Sequence, residues 1–174
     1  MAMVAHPDDC VIFAYSFMHH YRHLDWTVCY LTYTEQTARG KEFSNFWSRR
    51  NVKTKFLGYV DNWHDIENKK ISFDEESAST NIQLAMADQD VILTHDHNGD
   101  YGHLHHKFVC NAVCNHHSYV VTFAGVNQGN VKYSIDPGFY SLDEFPLHKD
   151  IVSGFHQHMH ANEYCVSERV KKIL

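Results

Sequence analysis

The chain has 174 residues, 44% of them hydrophobic and 21% charged, which fits one folded domain over residues 1–174 and excludes disordered, collagenous and low-complexity classes. A formal charge of −6 from 15 basic and 21 acidic side chains speaks against a nucleic-acid binder, and no apolar run approaches the roughly 18 residues of a transmembrane segment. The unusual count is 16 histidines, whose full protonation would carry the formal charge from −6 to +10 between about pH 8 and 5.

Met1–Ala5 reads as a short apolar strand that stops at His6-Pro7. Val11, Phe13, Ala14, Phe17, Met18, Tyr21 and Leu24 recur at helical spacing and predict a helix over Cys10–Leu24. Thr27–Thr34 is β-branched and aromatic, hence a strand. A helix over Arg39–Val52 turns Phe43, Phe46 and Trp47 inward, and a short strand follows at Lys55–Val60. Asp61–Ile71 reads as a polar loop, with Trp63 and His64 as candidates for a pocket rim. Ser72 followed by Glu75 predicts a capping box and a helix to about Ala87. Val91–Thr94 is a short buried strand, His95–Gly102 a loop with two glycines, and His103–Asn115 a helix. Ser118–Phe123 and Val131–Ile135 are the last expected strands, joined by a Gly/Asn/Gln turn, and Leu142–Asn162 is mostly helical.

Strands alternating with helices predict an α/β fold with a mostly parallel, doubly wound, Rossmann-like sheet and helices on both faces. In such sheets ligands sit beyond the carboxyl ends of the strands. That places the chemistry at His6–Asp9, Thr32–Glu35 and His95–His106.

Ala5-His6-Pro7-Asp8-Asp9 ends a strand and opens a helix. His6 and Asp9, three apart across a proline-stiffened turn, can aim at one point, and Asp8 between them points elsewhere. Imidazole and carboxylate suit zinc or a related divalent ion, and a catalytic site needs a third protein ligand. The segment from Thr94 to His106 supplies one: His103 and His106 share a helix face, so one can bind metal and the other can act beside it.

These two segments resemble the PIG-L/LmbE family of metal-dependent N-deacetylases, which carries an Ala-His-Pro-Asp-Asp-Glu run and a later His-x-x-His. Here the first stands as Ala5 to Asp9, with Cys10 in place of the glutamate, and the second as His103-Leu104-His105-His106. Thr94-His95-Asp96, Gly99 and Gly102 are similar to the family's loop, and fainter likenesses lie at Arg39-Gly40-Lys41-Glu42, Leu57–Asp61, Ile135-Asp136, Lys149 and Phe155-His156-Gln157.

The resemblance implies a zinc-dependent hydrolase that removes an N-acetyl group from an N-acetylglucosamine-like amino-sugar conjugate, with one Zn2+ per chain or Fe2+ in its stead. His6, Asp9 and His106 would hold the metal, and Asp8 would take the proton of its bound water. His103 and Tyr101 would stabilise the oxyanion, with His103 also a candidate donor to the leaving amine. Arg39 and Asp61 would contact substrate. Bacterial members carry an acid where this chain has His105, so Asp96 or Asp100 is expected to hold His103 in its place.

The competing reading is a non-catalytic metal- or sugar-binding protein that keeps the fold, motivated by Cys10 and His105. A histidine-rich metal buffer is a third. His105 is expected exposed or behind a ligand, and His95 and His97 as loop histidines near the pocket. His19, His20, His23, His156, His158 and His160 read as exposed helix faces. Cys110 and Cys114, four apart on an apolar helix face, read as buried thiols rather than as a second zinc site with His116 and His117. Five cysteines, an odd number, with no secretory hydrophobic region before the first polar motif, predict reduced thiols in a cytoplasmic protein, compatible with a homo-oligomer.

Overall fold

The structure, a computed structural model, describes residues 1–123, 132–156, 163–166 and 168–174. Its strands are β1 (Ala2–Val4), β2 (Thr27–Thr32), β3 (Lys53–Tyr59), β4 (Ile92–Thr94), β5 (Val120–Phe123), β6 (Lys132–Ser134) and β7 (Glu163–Val166). Its α-helices are α1 (Tyr15–His20), α2 (Ala38–Ser48), α3 (Trp63–Asn68), α4 (Glu75–Met86), α5 (Leu104–His116), α6 (Lys149–His156) and α7 (Glu168–Lys171). The strands form one sheet in the order β3-β2-β1-β4-β5-β7-β6. The first five in that order run parallel, and β7 is antiparallel to both β5 and β6. The expected mostly parallel α/β sheet is therefore present, with a mixed edge.

Burial explains why the central strands read as apolar runs. Successive side chains on a strand face opposite ways, and here both ways lead to helices. Ala2, Val4, Val28 and Tyr30 join a cluster with Phe17, Phe43, Phe46 and Trp47 of α1 and α2. Met3, Ala5, Cys29 and Leu31 join another with Ala78, Ile82, Met86, Val109 and Val113 of α4 and α5. With both faces covered, neither can be polar.

Several local expectations need correction. The helix expected over Cys10–Leu24 is two pieces, a π-helical Cys10–Ala14 followed by α1. Helix α4 is capped by Asp74, which accepts from Ser77 N at 3.0 Å, not by Ser72. Ser72 instead donates its N–H and hydroxyl to Asp65, at 2.9 and 3.1 Å. The polar stretch 61–71 contains α3, capped by Asn62. Its one buried residue is Asp65, so no apolar periodicity announces it. Strand β7 was not expected. Within 142–162 the described helical parts are a 3-10 turn at Leu142–Glu144 and α6. The turn expected at 124–131 and the residues Gln157, His158 and His160 lie outside the described residues, as do the side chains of Phe155 and His156.

β1 lies between β2 and β4, so the chain leaves it in one direction and returns on its other side, the switch point where a crevice opens. Side chains close the strand ends there. Thr32 donates its N–H and hydroxyl to Ala5 O at 3.0 and 2.7 Å. Ala5 N–H donates to His95 Nε2 at 3.0 Å. Among the described residues no helix is long and apolar enough to cross a membrane.

Candidate active site

β1 delivers His6, Asp8 and Asp9, all buried, at the mouth of the crevice. Asp9 Oδ2 accepts the backbone N–H of His6 at 2.7 Å and lies 3.0 Å from His6 Nδ1. His106, on the first turn of α5, places Nε2 3.2 Å from Asp9 Oδ2 and 3.2 Å from His6 Nδ1. Three donor atoms from two distant segments thus form a triangle with sides of 3.0–3.2 Å. Ligands about 2.0–2.1 Å from a tetrahedral zinc ion lie about 3.3 Å from one another. The chemistry of the donor set and its spacing both fit a divalent cation.

The tautomer of His106 fits as well. Asp100 Oδ2 accepts from His106 Nδ1 at 2.8 Å and from His95 Nδ1 at 2.5 Å. A proton held on Nδ1 leaves the Nε2 lone pair facing the triangle, the usual carboxylate–histidine–metal arrangement. Burial opposes ionisation of Asp100, but His95 and His106 overcome it and hold the carboxyl at about 2. His95 Nε2 faces the backbone N–H of Ala5 at 3.0 Å, which ties the ring to the end of β1.

His6 is backed differently. Its Nε2 lies 3.3 Å from His105 Nδ1, and His105 Nε2 lies 3.1 Å from Asp65 Oδ2. A neutral imidazole has one donor and one acceptor nitrogen. A run of donations from His6 to His105 to Asp65 satisfies all three groups and leaves His6 Nδ1 free as a ligand. His6, Asp61 and His105 also offer three donor atoms to a cation. An imidazole binding metal on both nitrogens would have to lose its last proton, which favours the hydrogen-bonded run.

Charge concentrates at the same point. Burial would lower His6, but Asp9 and a hydrogen bond to Asp61 raise it to about 9. Asp9 also raises His106 against its burial. Burial would raise Asp9, but His106 and His6 hold it well below the carboxylate range. Asp9 therefore draws positive charge into the triangle. Asp8 behaves oppositely: burial and then Asp9 raise its carboxyl, with Arg39 opposing. Burial, then His106 and His6, push His103 down to about 3.

The remaining expected residues gather around this triangle. Asp8 Oδ1 pairs with Arg39 Nη2. Arg39 Nη1 donates to Tyr33 OH at 2.7 Å, and Tyr33 OH donates to Asp61 Oδ2 at 2.8 Å. His103 caps α5, its Nδ1 accepting from His105 N at 3.2 Å. Its ring lies 4.8 Å from that of His6 and 4.6 Å from that of His106. Tyr101 is 47% exposed, so it faces the crevice opening. Its ring meets those of His103 and His106 edge-on at 5.8 and 5.2 Å.

Among the described residues Asp96 is tied to Asp100 rather than to His103. Its Oδ1 accepts from Asp100 N at 2.8 Å, and Asp100 Oδ1 accepts from Asp96 N at 3.3 Å. Trp63 and His64 are exposed beside Asp61. His105 is fully buried. Sequence reasoning missed Asp65 and Tyr33. Asp65 lies in a polar stretch that gave no helical signal. Tyr33 adopts φ 65, a left-handed conformation rare for an aromatic residue.

Residues 1–117 match the model of the PIG-L family, described as GlcNAc-PI de-N-acetylase. Comparison with curated proteins gives no match. Among solved structures, the chain is similar to the deacetylase of the antimicrobial A40926 pseudoaglycone, Dbv21, with a TM-score of 0.52 and 13% identity over 92% of this chain and 80% of that one. At that identity the likeness concerns the fold.

Proposed function

Since the chain belongs to the PIG-L family of GlcNAc-PI de-N-acetylases and is a deacetylase-like hydrolase by that membership, we propose that it removes the N-acetyl group of an N-acetylglucosamine-like conjugate with a zinc ion held by His6, Asp9 and His106. The observation that carries this reading is the triangle of His6 Nδ1, Asp9 Oδ2 and His106 Nε2 with sides of 3.0–3.2 Å beside the carboxylate of Asp8. The cation supplies a water acidic enough to ionise near neutral pH and polarises the amide carbonyl.

The protein's own groups do the rest. Asp8, raised by burial and by Asp9, is a stronger base than an exposed carboxylate, and its pair with Arg39 takes Oδ1 and orients Oδ2 for the proton. His103 accepts at Nδ1, so its hydrogen sits on Nε2 and can be donated to the developing oxyanion. Burial, then Asp9 and Asp8, raise the Tyr101 phenol, so it remains a second donor. The proton that Asp8 takes from the water is the one returned to the leaving nitrogen. Asp61, between Tyr33 and His6, is placed to meet sugar hydroxyls at the crevice wall.

The test is acetate release from a panel of N-acetylated amino sugars by zinc-loaded protein. Asp8→Asn should cut turnover by about 10²–10⁴-fold while bound zinc stays at the wild-type level. Zinc bound with no acetate released from any member of the panel would favour the binding-protein reading instead.

A further inference from the structure

Helix α5 carries His106 on its first turn, Cys110 one turn later and Cys114 one turn beyond that. The loop between β4 and α5 lays His97 against both sulfurs. Cys110 Sγ is 3.5 Å from His97 Nδ1 and 4.0 Å from Cys114 Sγ, and Cys114 Sγ is 3.9 Å from His97 Nε2. One nitrogen and the two sulfurs lie within 4.8 Å of one another. Two sulfurs bound at about 2.3 Å to one tetrahedral ion stand about 3.8 Å apart. The two sulfurs thus stand near the spacing of two corners of a tetrahedron, with the imidazole edge of His97 against both at 3.5 and 3.9 Å. Cys110 is buried and Cys114 half-buried, while His97 is exposed and leaves a route in.

The donor set is softer than that of the catalytic triangle, which contains no sulfur. Two thiolates and an imidazole select zinc and its thiophilic congeners over calcium or magnesium. A second feature lies beside it. Asp96, next to His97 in the chain and fully buried, keeps Oδ2 without a hydrogen-bond partner among the described residues. A buried carboxylate oxygen is costly in that state, and it leaves uncompensated negative charge in the loop that carries His97.

We propose that Cys110, Cys114 and His97 form a second cation site for a thiophilic divalent ion such as Zn2+ or Cd2+, clamping the β4–α5 loop onto α5. The clamp has a consequence for the catalytic triangle. His97 follows Asp96, Asp96 is bonded twice to Asp100, and Asp100 orients His106. An ion on the sulfurs therefore fixes the loop from which Asp100 reaches the catalytic histidine.

The experiment is an anaerobic titration of the reduced full chain with Co2+, read at the thiolate-to-cobalt charge-transfer band. A band that saturates in wild type and vanishes in the double variant Cys110→Ser, Cys114→Ser is the expected result. His97→Ala changes an exposed side chain, keeps the fold, and should weaken the binding read at that band by about tenfold or more. No band in reduced wild-type protein would overturn the proposal, and so would a band retained by the double variant. Should that variant fail to fold, His97→Ala decides: unchanged Co2+ affinity overturns the site. Because the band reports sulfur alone, its absence would leave the deacetylase reading untouched.

Discussion

Each corner of the triangle is held from behind by a different partner. Asp9 is fixed by the backbone N–H of its neighbour His6, His106 by Asp100, and His6 by His105, which is itself held by Asp65. Replacing a group that orients a metal-bound histidine costs about 10–100-fold in metal affinity. Asp100→Asn should therefore weaken zinc binding by about that factor, as measured by competition with a chelating dye, while turnover at saturating zinc changes less. Unaltered affinity would mean that His106 is oriented by something else. The convergence of His6, Asp9 and His106 was legible because they stand in motifs whose residue types have few other uses together. Asp65 was not legible, because an acid in a polar stretch resembles every solvated acid. His105 was read as exposed or behind a ligand, and its full burial follows from packing between His6 and Asp65.

Elements matter through their ends. The loop entering α5 uses the left-handed region three times in four residues, at Gly99 (φ 72), Asp100 (φ 62) and Gly102 (φ 101). A Cβ at Gly99 would stand 2.5 Å from His103 O. Gly99→Ala therefore meets both a clash and a conformation that costs about 1–2 kcal/mol for an L-residue. It should lower unfolding stability by at least that much in urea and release His103 from its cap.

A second element contact governs acid stability. Arg50, just past α2, grips Glu144 through Nη1 to Oε2 at 3.0 Å and Nη2 to Oε1 at 2.8 Å. The hydrogen bonds from Arg50 hold the Glu144 carboxyl below its usual range, against burial. A carboxyl lowered on folding stabilises above its unfolded pKa, about 4.3, and loses that contribution as pH falls through the folded value. Glu144→Gln should thus cost about 1 kcal/mol at pH 7, and its unfolding curve should converge with wild type below about pH 4. A constant difference across that range would contradict the pairing. Neither Glu144 nor the helix α3 was foreseeable from periodicity. What fixes them is one buried acid or one ion pair, not an apolar stripe.

At the scale of the molecule, the parallel sheet was legible because its strands are covered on both faces and so read as apolar runs set between helical stretches. The mixed edge was less so: β7, Glu163-Tyr164-Cys165-Val166, follows directly on the stretch Leu142–Asn162 that reads as helical. The switch point gathers the donor atoms of His6, Asp9 and His106 from both ends of the family-matched region, so a cation bound there should stabilise the whole fold. Free zinc at 100 times its Kd contributes about 2.7 kcal/mol, which for a chain of this size raises Tm by about 5–10 °C. Calorimetry with and without a chelator should show that shift, and His106→Ala should lose most of it. The most direct measurement is anomalous diffraction at the zinc edge from crystals of zinc-loaded protein. A peak about 2.0–2.2 Å from His6 Nδ1, Asp9 Oδ2 and His106 Nε2 is the expected result. A map with no peak among those three atoms would contradict the assignment of this crevice as a metal-dependent deacetylase site.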